Sequence, residues 1–247
     1  MVLIHAGYFS HELGMCMQSD VLLPQSEGPH RVLWLLHGAS DDETAWQRRT
    51  SIERYVEGTG LAVVMPCGHL SSYVNMAHGG KYFSYIADEL PAIMRGFFSL
   101  SDKREDNFIA GLSMGGAGAL RIGIARPENY CAIGCFSASV DNRRRDMPGR
   151  TSRRYGLTYG DAPIEGTEKD KRGNALRLLE SGKPVPRIYH ACGTEDFLLE
   201  NARETKAFFE SLEGNPFDYQ YEEMPGAHTW DFWDARIQDF LRYIHVK

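Results

Sequence analysis

The feature that most constrains this chain is a serine set between glycines at residues 111–115, Gly-Leu-Ser-Met-Gly. The four residues before it (107–110) are mostly apolar and favour a strand, whereas residues 114–125 favour a helix. A serine at such a strand–turn–helix junction has strained backbone angles, so its neighbours on both sides must lack bulk, as glycines do. The Gly-x-Ser-x-Gly nucleophile elbow requires this context. The pattern therefore predicts that Ser113 is a nucleophile.

Length, charge and cysteine content narrow the class of protein. A chain of 247 residues is long enough for one large α/β domain, and its net charge of −6 argues against a nucleic-acid partner. No apolar stretch approaches the roughly 18 residues of a membrane span, and the first residues do not resemble a signal peptide. The five cysteines lack metal-ligand spacing. We therefore expect a cytoplasmic protein with reduced thiols, no membrane partner and no metal site.

Segments typical of strands alternate with segments typical of helices along the chain. The predicted strands are residues 15–23, 31–36, 61–65, 107–110, 132–136, 187–191 and 217–222, and the predicted helices are 46–57, 82–98, 114–125, 175–180, 203–212 and 229–244. This alternation predicts one α/β domain over residues 1–247, with a mostly parallel central sheet and helices on both faces. The strand at 15–23 is long and alternating, which suits an antiparallel strand at the sheet edge.

One segment interrupts this alternation. Residues 141–171 are polar and rich in glycine and proline, so we expect a loop-rich insertion above the carboxyl edge of the sheet. The segment carries six arginines, Arg143, Arg144, Arg145, Arg150, Arg153 and Arg154. Acidic residues follow closely, which favours a solvated surface, and an anion site is the alternative.

Polar side chains follow several predicted strands, at the edge where sites form in parallel sheets. Ser113 follows the strand at 107–110, Asp196 follows the strand at 187–191, and His228 comes after the strand at 217–222. Their chain order, Ser then Asp then His, is that of the α/β-hydrolases and differs from the other serine-hydrolase folds. We therefore predict an α/β-hydrolase in which these three residues form a catalytic triad.

Each of these assignments has an alternative. His228 could cap the last helix, and Asp196 could be a helix N-cap. Glu195 and Asp218 are the competing carboxylates. A thiol nucleophile, Cys192 with His190, is a further reading, although both residues belong to a buried strand.

Three segments resemble one known family. Residues 35–38 (Leu-Leu-His-Gly), 111–116 (Gly-Leu-Ser-Met-Gly-Gly) and 226–230 (Gly-Ala-His-Thr-Trp) are similar to the Putative esterase (esterase D-like) family of α/β-hydrolases. Residues 73–79 and 82–91 most resemble the bacterial tributyrin esterases within that family. The resemblance runs over nearly the whole chain and weakens through residues 141–171. Residues 66–69 depart from the family pattern, in a stretch that lines the approach to its site.

The resemblance implies a serine carboxylesterase, whose chemistry needs no metal or cofactor. Because the insertion is short and the sequence offers no long amphipathic lid, we expect small-molecule esters with short acyl groups, acetyl to butyryl. The resemblance makes Ser113 the nucleophile, Asp196 and His228 its partners, and the N–H groups of Ala39 and Met114 the oxyanion hole. The candidate substrate-binding residues are His37, His69, Tyr73, Met76 and Trp230. The open alternatives are an S-formylglutathione hydrolase-like thioesterase, an acyltransferase and a non-catalytic binding protein. Family members are often oligomers, so a homo-oligomer is also expected.

Overall fold

The fold is built on an eight-stranded sheet, seen in a computed structural model that describes residues 1–141 and 151–246. The strands are β1 (Val2–Ser10), β2 (Met15–Leu23), β3 (Arg31–Leu36), β4 (Leu61–Pro66), β5 (Asn107–Leu112), β6 (Ala132–Phe136), β7 (Arg187–Gly193) and β8 (Gln220–Met224). Their order across the sheet is β1-β2-β4-β3-β5-β6-β7-β8. Strands β3 to β8 are parallel, which confirms the predicted mostly parallel α/β sheet.

The antiparallel part of the sheet is larger than predicted. β2 is antiparallel, as expected, but β1 pairs with it along nine residues and takes the edge position itself. β1 escaped prediction because most of its residues are exposed, so its apolar pattern is weak. The predicted strand at 217–222 is displaced, because Asp218 has a φ of 41° and Tyr219 N–H donates to the Asn215 side chain, which holds a turn there.

The helices are α1 (Ala45–Arg49), α2 (Ile52–Val56), α3 (Tyr82–Ser84), α4 (Leu90–Phe97), α5 (Met114–Ala125), α6 (Thr151–Tyr159), α7 (Lys171–Glu180), α8 (Leu199–Glu210) and α9 (Trp230–Tyr243). A π-helical turn, Tyr85–Glu89, joins α3 to α4. The single helix predicted at 46–57 is wrong: the Thr50 hydroxyl bonds to Trp46 O, and Ser51 N–H bonds to Asp234 instead of to a helical carbonyl. In the described part of the chain no helix is long and apolar enough to cross a membrane.

Alternate residues of the central strands enter two cores, one on each face of the sheet. In β3, Val32, Trp34 and Leu36 face one core, which α4, α5 and α8 cover. Leu33 and Leu35 face the other core, which α1, α2 and α9 cover. This period of two, with both faces buried, is what a parallel sheet between helices requires.

The predicted insertion contains helix α6, which the sequence did not indicate. Arg143, Arg144, Arg145 and Arg150 lie outside the described residues. The N–H groups of Ala77 and His78 donate to the carbonyls of Thr158 and Leu157, at 3.0 and 2.9 Å. These bonds fix the end of α6 against the segment that follows β4.

Candidate active site

Ser113 occupies the turn between β5 and α5 with a φ of 51° and a ψ of −115°. Its N–H donates to Phe136 O at 2.8 Å. A Cβ on Gly115 would lie 2.4 Å from the carbonyl oxygen of Leu36, and one on Gly111 would lie 2.5 Å from the carbonyl carbon of Gly115. Only glycine fits at these two positions, so the turn presses against the end of β3. A non-glycine residue in this conformation is strained by about 1–3 kcal/mol, so the surrounding packing must stabilise the turn by at least as much.

The hydroxyl of Ser113 lies beside a histidine from a distant part of the chain. The distance from Ser113 Oγ to His228 Nε2 is 3.0 Å. His228 stands between β8 and α9, and 17% of its side chain is exposed. The unprotonated Nε2 of a neutral imidazole at this distance can accept the serine proton.

The other ring nitrogen of His228 faces a buried carboxylate. Nδ1 lies 2.9 Å from Oδ2 of Asp196 and 3.0 Å from Oδ1, and Asp196 is 5% exposed. Burial alone would raise the pKa of Asp196, but hydrogen bonds from His228, from Leu198 N–H and from Ser137 outweigh it and lower this pKa. A carboxylate that stays ionised here keeps the proton of the imidazole on Nδ1.

The competing carboxylates are placed differently. Glu195 is exposed, and Asp218 lies in the turn before β8, where its carbonyl accepts from the Tyr243 hydroxyl. Asp196 also accepts from Leu198 N–H at 2.8 Å in the turn before α8, but the N-cap of that helix is Leu198, so Asp196 is not a helix N-cap. His228 is hydrogen-bonded to Asp196.

The thiol alternative has no support in the geometry. Cys192 is buried, and burial raises its thiol pKa to about 12. Burial lowers the pKa of His190 to about 3, and its Nδ1 bonds to the Tyr219 hydroxyl at 2.7 Å. A protonated thiol within a strand does not make a nucleophile.

Three residues near the histidine were missed by sequence reasoning. Ser137 follows β6, with a φ of 50°, and accepts a hydrogen bond from Trp233 Nε1 at 2.9 Å. The rings of Trp233 and His228 are perpendicular, with their centres 4.9 Å apart. Phe197 lies 4.3 Å from the same ring, centre to centre, and is 59% exposed. Ser137 could have been found from the sequence because it directly follows a predicted parallel strand. Trp233 could not, because in the sequence it looks like any other residue of the apolar face of α9.

The predicted oxyanion donors lie on either side of the elbow. Met114 is the first residue of α5, so its N–H has no intrahelical acceptor. Ala39 follows the end of β3, the strand whose last carbonyls touch Gly115. The loop carrying Ala39 is held by His37, whose Nε2 accepts from Gly68 N–H at 2.8 Å and whose Nδ1 donates to Gly38 O at 2.7 Å.

The candidate substrate-binding residues fall into two groups. His37 and Tyr73 are buried, burial lowers the pKa of His37, and the Tyr73 hydroxyl donates to His37 O at 3.0 Å. Both therefore pack beneath the loop. His69 is exposed and bonds to the Tyr82 hydroxyl, while Met76 and Trp230 are half-buried. Within residues 1–141 and 151–246, no three metal-ligating side chains are grouped to hold a metal ion.

Comparison with known proteins gives a consistent set of matches. The family model described as Putative esterase matches residues 10–244. An acetyl esterase of Caldicellulosiruptor saccharolyticus is 31% identical over 223 residues, which cover 87% of this chain and 83% of that protein. Diacylglycerol acyltransferase/mycolyltransferase Ag85A of Mycobacterium ulcerans is 25% identical over 243 residues, 83% of this chain and 70% of the relative.

Two solved structures from Staphylococcus aureus superpose on the whole chain. Fluorophosphonate-binding serine hydrolase F has a TM-score of 0.87 and 31% identity, with 100% of this chain and 98% of that chain covered. The S-formylglutathione hydrolase FrmB also has a TM-score of 0.87, with 32% identity and coverage of 100% and 99%. Both similarities extend through the sheet and the loops that carry the candidate site.

Proposed function

The chain belongs to the Putative esterase family, and from this premise we propose that it hydrolyses short-chain acyl esters, acetyl to butyryl, through Ser113, His228 and Asp196. The observation that carries the proposal is the continuous hydrogen-bonded chain from Ser113 Oγ through the imidazole to the buried carboxylate. Fold and family make the protein an α/β-hydrolase and a serine hydrolase. The roles of individual residues follow from chemistry.

Acylation begins at the serine. A free serine hydroxyl is a weak nucleophile, so neutral His228 takes its proton on Nε2 as Oγ attacks the ester carbonyl. Asp196 holds the Nδ1 proton and stabilises the imidazolium that forms. Because the carboxylate has a lowered pKa, it remains charged when the imidazolium appears.

The developing oxyanion needs donors placed in advance. In the proposed mechanism the N–H groups of Ala39 and Met114 supply them, and the position of Met114 at the N-terminus of α5 adds a favourable helix dipole. Removing one donor of this kind typically slows a reaction by ~10²–10³. The close fit of Gly115 against β3 keeps the two donor segments together.

Two steps follow the tetrahedral intermediate: the alcohol leaves, and water then hydrolyses the acyl-enzyme. The imidazolium of His228 donates its Nε2 proton to the departing alcohol, which leaves an acyl group on Ser113 Oγ. In the second half-reaction the same nitrogen deprotonates a water molecule as it attacks the acyl carbonyl. The imidazolium then gives this proton to Ser113 Oγ as the bond to the acyl group breaks, so the acid leaves and the serine is restored. His228 thus acts as base and acid in each half-reaction.

A short acyl group is supported by the relative named acetyl esterase. The described part of the insertion carries one nine-residue helix in place of a long amphipathic lid. His69, Met76 and Trp230, the accessible candidates, would line the substrate pocket. His37 and Tyr73 would act indirectly, by holding the oxyanion loop.

Two related activities use the same residues. A solved relative at 32% identity is an S-formylglutathione hydrolase, so thioester cleavage is the first alternative. The mycolyltransferase relative makes acyl transfer to an alcohol the second. A formyl thioester substrate separates the first from an oxygen-ester hydrolase, and added acceptor alcohol reveals the second.

The test is hydrolysis of p-nitrophenyl esters from acetate to decanoate by wild type and Ser113→Ala. We expect turnover that peaks at short chains and a loss of at least about 10³-fold in the variant. Turnover that survives in folded Ser113→Ala would overturn the assignment of the nucleophile. Absence of turnover on every ester would favour one of the two alternatives.

A further inference from the structure

Helix α6 carries an arginine into the immediate neighbourhood of the nucleophile. Nη2 of Arg154 lies 3.0 Å from Sδ of Met114, the residue next to Ser113. Met114 is 8% exposed, and Arg154 is half-buried above it. The guanidinium therefore covers the side chain that opens α5.

The position of Arg154 is fixed by the backbone. The carbonyls of Leu157 and Thr158, at the far end of the same helix, accept from the segment after β4. Gly160 has a φ of 67°, and a Cβ there would approach the Ala77 side chain to 2.8 Å. The helix is thus seated closely, and the arginine is held over the elbow.

Arg154 lacks a carboxylate partner within the described residues. Two arginines of α7 have one: Arg172 pairs with Asp141 at 2.9 Å, and Arg177 pairs with Asp170 at 3.2 Å. Burial lowers the pKa of Arg154, and the opposing influence of Tyr159 is smaller. A half-buried cation without a counter-charge is unfavourable unless something else supplies the charge.

We propose that Arg154 binds a carboxylate on the ester substrate, so that the enzyme selects anionic esters over neutral ones of the same size. This inference rests on the proposed esterase function and names its substrate class. Guanidinium binds carboxylates through two parallel hydrogen bonds, a geometry that neutral ester groups cannot match. Since the guanidinium is separated from Ser113 by the Met114 side chain, the carboxylate would be carried a few bonds away from the scissile carbonyl.

The experiment compares pairs of esters of similar size, of which one carries a carboxylate and the other is neutral. With the charge on the alcohol half, the pair is 4-(butyryloxy)benzoate and 4-(butyryloxy)benzamide. With the charge on the acyl half, it is the mono-p-nitrophenyl ester of adipic acid and its methyl-capped form. The readout is the ratio of kcat/KM for the anionic ester to kcat/KM for the neutral one. The pair with the larger ratio identifies which half of the substrate faces Arg154.

We expect a wild-type ratio of at least about tenfold in one pair, after correction for the intrinsic hydrolysis rates of the two esters. In Arg154→Gln the ratio should fall to about one, and in Arg154→Lys it should be intermediate, because the charge remains without the planar fork. Arg153→Gln is the matched control: Arg153 is the exposed neighbour on the same helix, and its removal should leave the ratio near the wild-type value.

Salt provides a second measurement that needs no variant. Raising the ionic strength from 0.05 to 1 M should lower the wild-type ratio, because the ion pair is screened. If Arg154→Gln does not fold, the dependence of the wild-type ratio on ionic strength is the test: a ratio that salt does not lower would overturn the inference. A ratio near one in the wild type for both pairs, or a ratio that Arg154→Gln leaves unchanged, would overturn the inference. If the ratio is near one but the neutral esters are hydrolysed, the proposed esterase function stands and only the role of Arg154 fails. If none of the four esters is hydrolysed, the proposed esterase function itself is contradicted.

Discussion

Asp196 contacts Nδ1 of His228 through both carboxylate oxygens, at 2.9 and 3.0 Å, from a side chain that has no exposed surface. The arrangement fixes the tautomer, because a proton on Nδ1 leaves Nε2 free to accept. The carboxylate is in turn held by Leu198 N–H.

Removing the charge while keeping the shape tests this relationship. In Asp196→Asn the amide can donate to Nδ1, which favours the wrong tautomer, so we expect kcat to fall by about 10²–10⁴ with the fold intact. The measurement is kcat on p-nitrophenyl butyrate, with circular dichroism to check folding. Glu195→Gln is the control, because Glu195 is an exposed carboxylate one residue away. Equal losses in both variants would contradict the assignment.

The positive φ of Ser113 predicts that the nucleophile occupies a strained position, which lowers the stability of the fold. Ser113→Ala and Ser113→Gly both remove the hydroxyl and its bond to His228, but only glycine relieves the positive φ of 51°. Both variants should be inactive, and Ser113→Gly should be more stable than Ser113→Ala by about 0.5–2 kcal/mol. Denaturant unfolding of the two proteins measures the difference. Equal stabilities would show that the relieved strain does not exceed the roughly 0.4–1 kcal/mol by which glycine favours the unfolded chain.

The architecture and the outline of the candidate site could be read from the sequence because both depend on local patterns. Buried parallel strands are short continuous apolar runs, so β3, β5 and β6 were visible. Ser113, Asp196 and His228 each follow a strand, and the carboxyl ends of parallel strands share one edge. Their catalytic roles, the single domain, the oligomer and the cytoplasmic location stay predictions.

What the sequence did not yield depends on contacts between distant residues. β1 is exposed along most of its length and is recognised as a strand only by its pairing with β2. The sequence predicts that Tyr73 lines the substrate pocket, whereas its side chain is fully buried and its hydroxyl donates to the backbone carbonyl of His37. Arg154 is one of six arginines in the segment 141–171, and its contact with Met114 depends on the folded position of α6, which the sequence pattern does not give.

Ser137 should act as a positioning residue. It receives a hydrogen bond from Trp233 Nε1 and helps to lower the pKa of the Asp196 carboxyl. We expect Ser137→Ala to reduce kcat about tenfold with little change in KM, because Ser137 is fully buried, away from any substrate, and the carboxylate loses one donor. Trp233→Phe is the companion variant: it removes the indole donor but keeps the hydroxyl, so its kcat should fall less. A change confined to KM would place Ser137 in the substrate pocket instead.

The buried histidine of β7 makes stability depend on pH. Burial lowers the pKa of His190 from 6.5 to about 3, so in this range the unfolded chain binds a proton that the folded chain does not. Stability from this group is therefore complete above pH 6.5 and is lost as the pH falls toward 3. At about 1.4 kcal/mol per pH unit, the free energy of unfolding of the wild type should fall by about 2–3 kcal/mol more between pH 6.5 and 4.5 than that of His190→Gln, as measured by urea unfolding.

His11→Gln, on an exposed turn, is the control for loss of a histidine. Parallel stability curves for wild type and His190→Gln would show that His190 takes up its proton in the folded protein, contrary to the lowered pKa that its burial causes.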